Sequence, residues 1–301
     1  MFDVSPAQHT APLPLQQSRL FADALNTTGI KAISHVFPGG RAVVVRRRWL
    51  GLGSVGVISR GPVWAGQPHT DAFFGLRGAL RLNHLILRAE TDADAQAASA
   101  AGFLHLRSPR QIAEISLSGG PEDWLARMHG KWRNRLRHAE KTPLVVTQDS
   151  FRPDPAHWLL AEDRARRRRL RHRTLPHAVT LAMAAADPAA VKLFTARAGG
   201  DVRAAMLFLS HGATATYHIG WSGPEGRAQS AHNSLLWHAM QTLAALGHDR
   251  IDLGPYTPAQ TPGLARFQLG SGARPRKLAG TWLSSAPLGP AHAIARWNRG
   301  Y

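Results

Sequence analysis

Three side chains between residues 218 and 256 could move a proton: His218, Asp252 and Tyr256. An imidazole, a carboxylate and a phenol are groups that take a proton from an attacking amine or give one to a leaving group. His218 stands beside Tyr217 in an apolar run, where strand alternation would turn one of the two into a cleft. A half-buried core histidine is the competing reading. Asp252 closes a short apolar segment before Gly254, and its carboxylate could instead bind the N–H groups of the 254–256 turn. Tyr256 is one of three tyrosines in the chain, and its phenol could donate to a leaving group.

A second set of residues could hold an anion. Lys131 and Arg135 are one helical turn apart and project side by side, as do Arg133 and Arg137. Too few acids lie nearby to neutralise them. Further on, seven of the ten residues 164–173 are arginine, a run that reads as a solvated face or a patch for nucleic acid or anionic lipid. The formal net charge of +18 speaks to partners and not to fold.

Other chemistry is excluded by pattern. The chain has no cysteine, so thiolate zinc sites, disulfides and a cysteine nucleophile are ruled out. Its 16 histidines form no His-Glu-x-x-His pair, and no metal site is expected. Neither a Walker loop nor a Gly-x-Ser-x-Gly elbow is present. Residues 51–56 spell Gly-x-Gly-x-x-Gly, but the following segment is strand-like, so the dinucleotide fingerprint lacks its helix.

The elements that must position these residues follow from periodicity. Segments 202–210 and 213–220 read as strands, 221–231 as a loop rich in Gly, Pro and Ser, and 232–246 as a helix. Its apolar positions Leu235, Leu236, Ala239, Leu243 and Leu246 share one face, with Asn233 or Ser234 as N-cap and Gly247 as stop. A strand at 250–253 completes a βαβ-like unit, whose ligands gather where strands end and helices begin. Upstream, strands at 30–37, 41–47, 54–59, 83–89, 102–106 and 112–117 accompany a helix that follows the 61–68 loop and runs to Leu80, and a small one at 92–101. Segment 121–141 reads as one helix with Leu125, Met128, Trp132, Leu136 and Ala139 on its apolar stripe. Residues 153–173 read as a second basic helix, residues 1–13 as a loose arm, and residues 288–301 as a short amphipathic helix.

Tyr217-His-Ile-Gly220, Asn233-Ser-Leu-Leu-Trp-His-Ala-Met240, Arg250-Ile-Asp-Leu-Gly254 and Thr261-Pro-Gly-Leu-Ala-Arg-Phe267 together resemble the FemAB-like acyltransferases of the GNAT superfamily. Gly130-Lys-Trp-Arg-Asn-Arg-Leu-Arg-His-Ala-Glu140 is similar to the basic helix between that family's lobes, and Arg60-Gly-Pro-Val63 to a turn in its first lobe. The resemblance is discontinuous and spans roughly 60–300. It implies an acyl donor held where two strands splay apart, its carbonyl oxygen gripped by a backbone N–H while an amine attacks directly. CoA-dependent members carry Arg/Gln-x-x-Gly-x-Gly/Ala before the helix. Here Arg227-Ala-Gln-Ser-Ala-His232 lacks those glycines, although Arg227 could still reach a phosphate. Where FemAB-like proteins commonly read Phe-Lys, this chain has Phe267-Gln268, so Gln268, or Arg266 if it points inward, would meet the donor.

The expected fold is therefore α/β (α+β mixed sheets), as two GNAT-like lobes: 1–120, a basic helical connector 121–175, and an acyltransferase lobe 176–301. The expected reaction is transfer of an acyl or aminoacyl group, from acyl-CoA or aminoacyl-tRNA, to an amine on a small anionic acceptor. Arg227, Asn233, Arg266 and Gln268 would bind the donor, and Lys131, Arg133, Arg135 and Tyr217 the acceptor. tRNA and an anionic membrane are further partner classes. The rival reading is a non-catalytic basic protein that grips nucleic acid or membrane through its arginines. With neither a signal-peptide pattern nor a long apolar run, the chain is expected in the cytosol.

Overall fold

In the computed structural model, residues 13–170 and 175–286 are described. The expectations for the N-terminal arm, the C-terminal helix and Arg171–Arg173 fall largely outside them. A short 3-10 turn leads into α1 (Arg19–Thr27), then strands β1 (Ala32–Phe37), β2 (Gly40–Trp49), β3 (Gly53–Ser59) and β4 (Val63–Trp64). Next come α2 (Thr70–Phe73), α3 (Leu76–Ala79), β5 (His84–Arg88), α4 (Asp92–Ala100) and β6 (Leu104–Arg107). The chain continues with β7 (Gln111–Ser116), α5 (Pro121–Arg127), α6 (Gly130–Glu140), β8 (Val145–Ser150), α7 (Trp158–Leu170) and α8 (His177–Ala186). It then runs through β9 (Val191–Ala198), β10 (Asp201–His211), β11 (Thr214–Ser222), α9 (Pro224–Ala228) and α10 (Ala231–Ala245). The last elements are β12 (Arg250–Pro255), α11 (Pro262–Gly270), β13 (Arg274–Lys277) and β14 (Thr281–Ser285).

These form two mixed seven-stranded sheets, so the expected α/β class holds. The compact units do not divide at 120 and 175. The larger joins the residues up to Ile30 to Arg110–Lys277, and the smaller joins Lys31–Pro109 to the segment from Leu278 onward. Strand pairing gives the reason. β7, expected in the first lobe, lies between β12 and β13, antiparallel to both, in the sheet of the larger unit. β14 pairs with both β5 and β6 and so completes the sheet of the smaller one. The two segments expected as a connector, 121–141 and 153–173, contribute α5, α6 and α7 to the larger unit.

In the larger unit the order is β13-β7-β12-β11-β10-β9-β8. One face carries Phe194, Ala196, Ala204, Met206, Phe208, Ala215 and Ile251, packed against Trp124 of α5, Trp132 and Leu136 of α6, and the Leu235, Leu236, Ala239 and Leu243 stripe of α10. The alternate residues Leu193, Ala205, Leu207 and Leu209 are also buried, on the opposite face. Burying a leucine of this kind contributes about 1.5–3 kcal/mol.

The helix expected at 121–141 is two. Met128 is extended (ψ 146°), which ends α5, and His129 caps α6. The apolar stripe runs on in phase across the break, so the pattern alone conceals it. The segment 221–231 likewise holds α9, begun by Pro224 at its first position, where a missing N–H costs nothing.

Candidate active site

β11 and β12 are the parallel pair of the βαβ unit, and they pair only over Thr214–Thr216 against Arg250–Asp252. Beyond that they part. β12 follows β7 through an irregularity between Asp252 and Pro255, with Gly254 at φ +82°. Asp252 holds this bend: its Oδ1 accepts the Gly254 N–H at 2.7 Å, and the residue is 2% exposed. Of its two roles read from sequence, the structure displays the turn-binding one. On the other bank, β11 stays on β10, but His218 is an extra residue, because Leu207 faces Ile219 and Phe208 faces Tyr217. Such a bulge re-aims side chains.

Past the bulge, Gly223 donates to Arg203 O at 3.0 Å. Antiparallel alternation therefore turns the N–H and C=O of Gly220 away from β10, toward the gap beside β12. Arg166 Nη1 meets that carbonyl at 3.0 Å. A β-carbon at 220 would overlap the Tyr217 hydroxyl, so glycine is required for the phenol to lie where it does.

Tyr217 packs on the core beside Phe208, with ring centroids 5.6 Å apart. Burial pushes its phenol up to about 12, against the opposing pull of Arg166, so it is a proton donor at neutral pH. Among the described residues its hydroxyl has no hydrogen-bond partner. His218 lies toward α8, where its Nε2 is 2.8 Å from Thr180 Oγ1. Burial, aided by the positive charge of Arg167, draws it down to about 4, too weak for an efficient base at neutral pH. Tyr256 packs at the edge of the core with its N–H on Gln111 O at 2.9 Å.

Sequence reasoning missed His232, which the sequence shows only as the last residue of the 227–232 segment. At the start of α10 its Nε2 is 2.9 Å from Trp221 O. A carbonyl only accepts, so the neutral ring donates from Nε2 and keeps a lone pair on Nδ1. Burial first, then the charges of Arg166 and Arg227, lower its pKa and keep it neutral. Arg166 was equally hidden, one arginine inside a run of them.

Few amides remain free for a phosphate. The N–H groups of Arg227, Gln229 and Ser230 bond to Gly223, Glu225 and Arg227 carbonyls, and those of Asn233 and Ser234 bond to Ser230 O. Ser230 caps α10 in the left-handed region (φ 56°). This leaves the first-turn amides of Ala231 and His232. Arg227 donates to Ser222 O. Asn233, expected as a cap, lies inside the first turn, 4% exposed, and its Nδ2 has no partner. Trp132 Nε1 on α6 and Gln268 Oε1 on α11 are likewise buried and unpartnered. Such atoms are rare in folded proteins and mark places that water or a polar ligand fills.

Gln268 corrects a carry-over. Its Nε2 donates to Leu253 O at 3.1 Å and Pro255 O at 3.3 Å, so both N–H bonds hold the bent end of β12 and none is left for a donor carbonyl. Arg266 is exposed on α11 and points outward. On α6, Arg133 Nη1 donates to Leu125 O and Met128 O at 3.1 and 2.6 Å, satisfying the last carbonyls of α5 in place of an anion. Lys131 and Arg135 are exposed, and among the described residues neither pairs with a carboxylate. In the arginine run, Arg167 pairs with Asp163. Among the described residues no group of His, Asp or Glu could hold a metal ion, and no helix is long and apolar enough to cross a membrane.

A sequence profile described as "Acetyltransferase (GNAT) domain" matches residues 126–268, from the end of α5 to α11. No curated protein matches the sequence. Among solved structures, FemX superposes with a TM-score of 0.79 at 14% identity, over 95% of each chain. The C-terminal domain of a protein from Agrobacterium fabrum, provisionally named lysylphosphatidylglycerol synthetase, gives 0.57 at 13% identity, over 94% of this chain and 91% of that one. L-PGS from Bacillus licheniformis gives 0.52 at 10% identity, over 91% and 92%.

Proposed function

We propose, for a chain that is a GNAT-type acyltransferase of FemX-like fold with its GNAT domain over residues 126–268, that it passes an aminoacyl or acyl group to the amine of an anionic acceptor. The observation that carries this reading is the parting of β11 from β12 with the Gly220 N–H turned into the gap. A carbonyl oxygen placed there gains a main-chain hydrogen bond as its charge develops, which is worth about 10²–10³ in rate for one such donor. His232 Nδ1 takes the proton of the attacking amine, and the protonated Tyr217 phenol is available to the leaving oxygen or sulfur. The acceptor's negative charge is met by Lys131 and Arg135.

For the donor, the loop before α10 favours aminoacyl-tRNA over acyl-CoA, because most of its amides are already committed to carbonyls and cannot wrap a pyrophosphate. Both donors are met in the cytosol, where the reaction is placed. The deciding experiment offers the purified protein charged tRNA and acyl-CoA separately, and follows transfer of labelled acyl group to amine acceptors. Binding of each is measured across a salt series, in which duplex nucleic acid adds a log–log slope of about −0.9 per phosphate contact and a CoA ester stays shallow. His232→Gln is expected to lower kcat and leave donor binding in place. Transfer from neither donor would sink the reading.

A further inference from the structure

The smaller unit carries a feature that acyl transfer does not use. β1 pairs with β2 only as far as Val45, and β5 pairs with β3 only from Val55 onward. The stretch from Arg48 to Ser54 is therefore a two-stranded ribbon that runs past its neighbours, paired Arg48↔Ser54 and Trp49↔Gly53. Its tip is a tight turn in which the Leu52 N–H bonds to Trp49 O and Gly51 takes a φ of +80°. The side chains there are apolar and uncovered: Leu50 is fully exposed, Trp49 49% and Leu52 36%. Directly behind the tip a cleft of about 560 Å³ is lined by Lys31, Arg46, Arg47, Arg48 and Arg81. No acid lines it, and among the described residues none of these five cations pairs with a carboxylate.

We propose that the β2–β3 hairpin docks the protein on an anionic phospholipid bilayer, with Trp49, Leu50 and Leu52 entering the interface and the arginine cleft seated on headgroup phosphates. The order of chemistry along the ribbon carries the inference. Apolar groups lead, an indole suited to the interface comes next, and cations follow one turn behind. That is the sequence of layers met on entering a bilayer from its hydrocarbon side outward. Free phosphate or a nucleic-acid backbone would use the arginines but would leave Leu50 and Leu52 without a partner. Apolar burial and attraction to an anionic surface, at about 1 kcal/mol per basic residue, act together in such anchors. The cleft lies at the start of β3 and β5, at the opposite end of β3 from Arg60 and the Gly61–Pro62 turn. The inference depends on the smaller unit alone and is independent of the acyl-transfer reading.

The test is co-sedimentation of the full chain with vesicles of phosphatidylcholine, alone or mixed with phosphatidylglycerol, and in parallel a binding titration with uncharged tRNA. Binding is expected on the mixed vesicles only. Leu50→Ser with Leu52→Ser, and separately Arg47→Ser with Arg48→Ser, are each expected to lower it about tenfold or more. All four side chains are solvent-exposed, so the thermal midpoint should hold, and circular dichroism checks it. Arg168→Ser with Arg169→Ser, on α7, should leave vesicle binding intact. The proposal is overturned if mixed vesicles are not bound, if the leucine pair changes nothing, or if the α7 pair alone abolishes binding. It is also overturned if tRNA binds through Arg47 and Arg48 while vesicles do not, which would make the cleft a nucleic-acid groove.

Discussion

The phenol of Tyr217 lies across the α-carbon of Gly220, on the same face of β11, because the extra residue His218 resets the alternation between them. Gly220→Ala should therefore destabilise the fold by about 1–3 kcal/mol, as overpacking does. It should also lower acyl transfer by displacing the Gly220 amide. Adding Tyr217→Phe removes the overlapping oxygen and should restore part of the stability. Denaturant midpoints of the two single variants and the double variant test the coupling, and purely additive effects would contradict the contact.

Arg133 and its neighbours on α6 separate by role. Arg133→Ala removes the side-chain donor from the Met128 carbonyl and one of two donors from the Leu125 carbonyl, and should cost about 1–3 kcal/mol of stability. Lys131→Ala and Arg135→Ala, at exposed positions, should change stability by less than about 0.5 kcal/mol and raise KM for an anionic acceptor. Steady-state kinetics beside urea unfolding would show the split.

Gln268 ties α11 to the end of β12. Gln268→Leu keeps the volume but leaves the Leu253 and Pro255 carbonyls without this donor, a loss of about 2–4 kcal/mol. The urea midpoint should fall with an unchanged slope. A variant as stable as the parent would show that these bonds do not hold the bend.

His218 makes stability depend on pH. The unfolded chain takes up its proton at the ordinary value of 6.5, but the folded protein not until about 4. Between those values the unfolded state binds more protons, so stability is full above 6.5 and falls as pH drops toward 4, by about 3 kcal/mol at most. His157, His177, His232 and His248 are shifted in the same direction. His218→Gln should thus flatten the curve by about one proton's share and leave the remainder. Urea midpoints of both proteins at neutral pH and near pH 4.5 would show it, and an unchanged slope would exclude His218 as a source.

Much of the larger unit's core is legible in the sequence. The strands around 202–220 and the α10 stripe announce themselves because one buried face imposes a strict period. The break at Met128 is not legible, since apolar spacing continues through it. Nor is the direction of a charged side chain: Arg133 and Arg135 look alike in sequence, yet one caps a helix and the other meets solvent. His232 owes its neutral state to burial first and then to Arg166, a neighbour far away in sequence, and its tautomer to the carbonyl of Trp221. The division into units depends on long-range pairing by two short strands, β7 and β14, whose composition says nothing of which sheet receives them.

β14 has a consequence for how the protein is made. It stands between β5 and β6 and bonds to both, although those two emerge nearly two hundred residues earlier. During synthesis the smaller unit must wait with a missing plank in its middle while the segment Arg110–Lys277 of the larger unit is translated. Any messenger or protease that stops the product short of Thr281 leaves the larger unit's segments whole and the smaller unit with an open, adhesive sheet.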